Sequence, residues 1–211
     1  MIAIVNYGVG NLFSLSSSLG VLGIEAAVTG DAAAIRAADG IILPGVGAFG
    51  DAMHKLRQTG LDAVLVQQAR AGKPLLGICL GMQLLFQQSF EFGRHAGLGL
   101  IPGDICPLRD DLDALGPQYA DYKVPHMGWN SLQFTDKTCP LLQNTAEGAY
   151  VYYVHSFYAQ NCAQHVAADS EYGVRVPGVV QNGSVFGTQF HPEKSGDVGL
   201  GILKAYAKVV G

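Results

Sequence analysis

Residues 73–88 read KPLLGICLGMQLLFQQ. An apolar run over 73–78, of strand length, passes without a loop into a segment of helical spacing over 80–88. The junction Gly77-Ile78-Cys79-Leu80-Gly81 sets a small residue two places before and two places after a thiol. That is the pattern of a strand-to-helix turn so tight that side chains at its flanks would collide with neighbouring backbone. The turn also holds the Cys79 sulfur at a helix N-terminus, where unpaired N–H groups and the helix dipole favour an anion. The competing reading is a buried structural cysteine, a common core residue.

Outward from this junction the same alternation repeats. Residues 2–6 (IAIVN) read as a buried strand, 12–22 carry helical spacing, and 25–28 read as a second strand. Asp31 is a good N-cap for a short helix. Residues 41–43 form a third strand ending in Pro44-Gly45-Val46-Gly47, followed by helical patterns over 48–58 and 61–70. Strands apolar on both faces, alternating with helices, predict a parallel sheet covered on both sides. Downstream, turns are frequent and short runs alternate over 129–134, 150–154, 166–168, 179–181 and 184–189, with Asn182-Gly183 a hairpin signal. A last helix covers about 198–209. The expected fold is a single three-layer α/β/α domain over 1–211, with one mixed, mostly parallel central sheet and helices on both faces.

A chain of 211 residues suits one domain and buries enough surface to need no disulfide or metal staple. Its net charge is −4 and only 14% of residues are charged, against about 25% in typical soluble domains. That balance excludes a basic nucleic-acid footprint over the domain and a disordered acidic tail, and leaves room for an apolar contact patch. Cys79, Cys106, Cys139 and Cys162 form no zinc-type spacing, so no metal is expected. With no signal-type segment and no apolar run of membrane-spanning length, the expectation is a reduced, cytoplasmic protein without membrane contact.

A thiol nucleophile needs a base, and the base needs an orienting group. His191-Pro192-Glu193 supplies both, because residues i and i+2 of an extended chain point the same way. Parallel strands gather sites at their C-terminal ends, where Cys79 also stands. Taken alone, the tripeptide reads as a turn histidine beside a surface glutamate. His54 falls in an amphipathic helix and His95 and His165 in polar loops, which discounts them. His126 and His155 remain open as supports of a site. The glycines of 44–47 can expose main-chain N–H groups to a developing oxyanion, or simply make a turn. Gly8-Val9-Gly10 follows a strand as a dinucleotide-binding turn would, but Phe13 occupies the third glycine position and the motif fails.

The blocks NYGVGNLFSLSSSL, LPGVGAFGDAM, GKPLLGICLGMQLLF, GLGLIPG, VPHMGWN, YYVHSFYA and GTQFHPEKSG run from Asn6 to Gly196. In this order they closely resemble class I (triad-type) glutamine amidotransferases, and more narrowly the glutaminase subunits of imidazole glycerol phosphate synthases of histidine biosynthesis. Residues 109–123 lie outside the likeness, and Asn6 stands where relatives often have Asp. The resemblance implies an enzyme without cofactor in which Cys79 attacks the glutamine carboxamide, His191 protonates the departing ammonia and Glu193 holds the imidazole. It implies an oxyanion site at Leu80 and the Gly45-Val46-Gly47 loop, the latter held inactive until a partner binds. Gln83, Ser156 and Phe157 would bind the α-amino and α-carboxylate groups of L-glutamine. The implied partner is a (β/α)8-barrel cyclase subunit forming a heterodimer, with Asn11, Met127, Trp129 and Lys194 at the shared face. A buried, core Trp129 is the alternative there. Competing functions are a glutaminase subunit serving a different synthase, another triad hydrolase such as a peptidase, and a silent regulatory subunit.

Overall fold

Alternate side chains of the first strand enter two different cores. Ala3 and Val5 join Ile35, Phe49, Met53, Leu56, Leu61 and Leu65, whereas Ile2 and Ile4 join Leu15, Leu19, Ile202, Leu203 and Tyr206. This two-residue period is what places one sheet between two helical layers. The structure is a computed structural model and describes all residues, Met1–Gly211. In its first part β1 (Ile2–Val5), α1 (Leu12–Val21), β2 (Ala26–Thr29), α2 (Ala32–Ala37) and β3 (Gly40–Gly45) are followed by α3 (Phe49–Thr59), α4 (Leu61–Arg70), β4 (Leu75–Cys79) and α5 (Leu80–Leu84). The Asp31 carboxylate caps α2 by accepting from the N–H groups of Ala33 and Ala34, which satisfies donors the helix cannot pair itself.

The second part holds β5 (Phe86–Ser89), β6 (His95–Ala96), β7 (Ile101–Pro107), α6 (Leu108–Ala114), β8 (His126–Ser131), β9 (Gln133–Phe134) and β10 (Tyr150–His155). It continues through β11 (Phe157–Gln160), β12 (Val166–Tyr172), β13 (Val174–Asn182), β14 (Val185–Thr188) and α7 (Gly196–Val210). The main sheet has the order β2-β1-β3-β4-β14-β13-β12-β9. Its pairs from β2 to β14 are parallel, and those from β14 to β9 antiparallel. The hairpin at Asn182-Gly183 joins β13 to β14. The three layers and the mixed, mostly parallel sheet match the expectation.

Two expectations are corrected. The helix expected over 80–88 ends at Leu84, and Phe86 opens β5, which pairs with β7. All five residues of α5, Gln83 included, are buried, so no exposed face marks its extent, and a mostly apolar run reads alike as buried helix or buried strand. The downstream runs also do not all enter the central sheet. β10 pairs with β8 alone, and β11-β7-β5-β6 form a third sheet. The run 129–134 divides at Leu132 between β8 and β9, which belong to different sheets. Strands β5, β6, β7, β11 and helix α6 are further elements beyond the expectation, and β7 and β11 pair residues far apart in sequence, such as Phe157 with Pro107.

Candidate active site

Three parallel strands deliver the site. Gly45 ends β3 as the register partner of Cys79 at the end of β4, and β14, paired to β4 on its other side, leads through Gln189 to His191. Cys79 adopts φ +54° and ψ −112°, a backbone region that costs an L residue on the order of 1–3 kcal/mol and persists only when its surroundings impose it. Here they do. A Cβ added at Gly77 would lie 2.6 Å from the Gly81 carbonyl oxygen, and one at Gly81 would overlap the Leu43 carbonyl. One at Gly45 would stand 2.8 Å from the Gly81 nitrogen. The collisions expected of the tight turn are therefore real at both flanks and extend to the neighbouring strand.

The Cys79 sulfur lies at the floor of a cleft of about 590 Å³, 3.9 Å from the Val154 carbonyl oxygen and 3.9 Å from the Gln189 amide nitrogen. His191 Nδ1 lies 2.8 Å from Glu193 Oε1, with both side chains almost fully buried. Its other nitrogen is thereby left free toward the cleft that Cys79 also lines. Burial opposes a charge on this imidazole, but the nearby Cys79 and the hydrogen-bonded Glu193 outweigh it and raise His191 to about 9. Glu193 does not reach the ring along extended chain as expected. His191 is extended, but Pro192–Lys194 form a 3-10 turn that brings the carboxylate back. Ser195, which the sequence did not suggest, pins this turn. Its hydroxyl donates to the His191 carbonyl at 2.7 Å and accepts from Tyr152 N at 3.0 Å.

Val46, Gly47 and Leu80 line the cleft beside Cys79 and His191, and Gly45 lies buried behind them. The N–H of Leu80 is the first of α5 and has no partner within that helix. The Tyr7 hydroxyl donates to the Pro44 carbonyl at 2.9 Å, fixing the strand from which the loop departs. Gln83, Ser156 and Phe157 line the same cleft. Gln83 Nε2 donates to the Phe157 carbonyl at 2.9 Å and to Gln189 Oε1 at 3.1 Å. Both its protons are thus used, and an acceptor is what it retains for a ligand.

Two charged residues on the lining were missed. Glu91 accepts from Phe49 N at 2.6 Å, and burial raises its carboxyl against the opposing pull of that N–H. Its signal was a lone acid amid Phe90 and Phe92. Arg109, at the start of α6, lies in the segment the resemblance did not cover. No three His, Cys, Asp or Glu side chains are placed to hold a metal ion, and no helix is long and apolar enough to cross a membrane.

The four residues expected at a shared face sit on adjoining elements. Met127 and Trp129 project from β8, 62% and 56% exposed, which corrects the alternative of a core Trp129. The Tyr152 ring lies 6.0 Å from Trp129 and 5.9 Å from Lys194 Nζ. Asn11 caps α1 through the Ser14 N–H and lines a small cavity with His191 and Glu193. Phe13, in the first turn of α1, is 84% exposed.

A cysteine at a glycine-flanked turn, an imidazole between that thiol and a buried carboxylate, and unpaired N–H groups alongside make a site for acyl transfer. The family model of glutamine amidotransferase class-I matches residues 3–204, and the chain belongs to this family. Over all 211 residues it is 49% identical to the imidazole glycerol phosphate synthase subunit HisH of Listeria monocytogenes serotype 4b (strain CLIP80459), covering 96% of that protein. Against the HisH subunit of Bacillus cereus (strain G9842) it is 49% identical over 210 residues, covering 100% of this chain and 95% of that one. Among solved structures, PurLQS from Thermotoga maritima superposes with a TM-score of 0.72 at 19% identity, over 100% of this chain and 98% of that one. The glutaminase domain of CTPS from Trypanosoma brucei gives 0.66 at 17% identity, over 98% and 93%. These two share the fold.

Proposed function

We propose that the chain, as one amidotransferase domain over 1–211, is the glutaminase subunit of an imidazole glycerol phosphate synthase. The observation that carries this reading is Cys79 and His191 on one cleft, with Glu193 buried against the imidazole, in a chain 49% identical to HisH over its full length. The Cys79 sulfur attacks the side-chain carbonyl carbon of glutamine, and the new oxyanion is met by the N–H groups of Leu80 and the Gly45-Val46-Gly47 loop. His191, held by Glu193, gives its proton to the amide nitrogen. The C–N bond breaks and ammonia leaves. The imidazole then takes a proton from water, which attacks the thioester, releasing glutamate and restoring the thiol.

Glu91 and Arg109 offer charges of opposite sign at the cleft wall, suited to the ammonium and carboxylate of a free amino acid. Ser156 and Phe157 supply main-chain polar groups beside them, and Gln83 an acceptor. Ammonia released into water becomes ammonium, which is no nucleophile, so the product passes to a partner across a closed junction. That partner is a (β/α)8-barrel cyclase, which makes imidazole glycerol phosphate and an aminoimidazole carboxamide ribotide. It docks on the face of Asn11, Met127, Trp129 and Lys194, and the pair works in the cytoplasm. The oxyanion loop depends on docking, so the isolated chain turns over little glutamine.

Cys79→Ala in the reconstituted complex is the test. Glutamine-driven synthesis is expected to vanish while synthesis fed with ammonium salt persists. Retained glutamine-driven synthesis would overturn the reading.

A further inference from the structure

His126 and His155 form a buried titratable pair that the chemistry above does not use. His126 opens β8, His155 closes β10, and the two are cross-strand partners. His126 Nδ1 lies 2.9 Å from His155 Nε2. The His126 ring is stacked against Tyr153 at 4.7 Å and Tyr172 at 3.9 Å. Burial lowers His126 to about 4 and His155 to about 3, the latter with help from its neighbour. Both rings are therefore neutral at neutral pH, each with one N–H and one bare nitrogen.

The neighbours fix which nitrogen is which. His155 Nδ1 lies 3.0 Å from the Phe157 carbonyl oxygen, which can only accept, so Nδ1 carries the proton and Nε2 accepts. His126 Nδ1 must then donate to it, leaving His126 Nε2 to accept from Asn130 Nδ2 at 3.4 Å. The Asn130 amide is itself anchored, donating to the Glu171 carbonyl at 2.8 Å. The Phe157 carbonyl thus receives two donors, His155 from behind and Gln83 from the cleft. Gln83 is in turn tied to Gln189, whose amide faces the Cys79 sulfur. A buried polar pair that is not fully satisfied is costly, and here every N–H has an acceptor.

We propose that the neutral His126–His155 pair is a positioning device for the glutamine end of the cleft: by donating to the Phe157 carbonyl it sets the Gln83 amide. The proposal rests on the cleft being a glutamine site. It concerns residues that touch no reacting atom, so binding of glutamine should suffer more than the chemical step.

The experiment uses the complex with the cyclase partner. His126→Phe keeps a ring between Tyr153 and Tyr172 but removes the donor. Leaving a buried acceptor unpaired should raise KM for glutamine about tenfold, with kcat changed less than about threefold and ammonia-driven synthesis untouched. His126→Asn, whose amide nitrogen stands near the Nδ1 position, should restore KM to within about threefold of wild type. An unchanged KM in His126→Phe overturns the proposal, as does equal impairment of both variants with equal loss of thermal stability. A second measurement needs no variant: imidazole ¹⁵N shifts of the wild-type complex at neutral pH should show Nδ1–H on both rings, and an Nε2–H form or a charged ring overturns it. A wild-type complex unable to use glutamine would instead sink the reading of the cleft.

Discussion

The parallel half of the molecule and the sheets added to it hold the same cleft by different means. In β3, β4 and α5 the site is set by contact between backbones. Gly45, Gly77 and Gly81 leave no room for a Cβ, and Cys79 is forced into its turn by neighbours within a few residues or one strand away. At β8, β10 and β11 the site is set by polar side chains spanning long stretches of sequence, such as Gln83 to the Phe157 carbonyl and His126 to His155. The first kind of support is rigid because it is steric. The second is directional, and it can be weakened one hydrogen bond at a time.

The sharpest break of the contrast is at their junction, His191, which leaves the end of β14 but is anchored to β10 through the Tyr152 carbonyl at 3.0 Å. His191→Asn should lower glutamine turnover by about 10⁶-fold, as loss of the histidine of a triad does, with ammonia-driven synthesis preserved. Next comes the steric half: Gly81→Ala should lower folding stability by about 3 kcal/mol, or leave too little folded protein to measure, because the new methyl overlaps backbone that cannot yield. Denaturant unfolding reads this. A loss below about 1 kcal/mol would mean that β3 and α5 can part after all.

In the added sheets, Trp129→Ala should weaken the complex about thirtyfold yet move the melting temperature of the isolated chain little, since the ring is mostly in water. Titration calorimetry and a thermal melt together test it. The smallest effect concerns pH. The folded state raises His191 above its usual range, so its contribution to stability is complete below about pH 6.5 and fades as pH climbs through about 9. The stability gap between wild type and His191→Gln should therefore narrow from about pH 6.5 to about 9.5. A widening gap would contradict the ion pairing drawn here.

Legibility from sequence follows the same divide. The strands and helices through residue 84, the elbow at Cys79 and the HPE tripeptide could be read because their signals are local: an apolar run, a helical period, a glycine at a fixed offset. Glu91, Gln189 and Ser195 could not be placed, because each reaches the site through a partner far away in the chain. The sequence showed His126 and His155 only as histidines without a reason to be discounted, and their roles depend on a cross-strand register that no local pattern encodes. Strand β5 was hidden for another reason: Leu84-Leu85-Phe86 satisfies a helix and a buried strand equally until Ile101 is known to lie opposite.

The bare aromatic and thioether side chains of Phe13, Met127 and Trp129 also bear on how the protein must be made. A chain synthesised alone presents them to water as an adhesive surface. If the proposed partner covers them, the yield of this chain should rise and its tendency to clump should fall when the two polypeptides are made together.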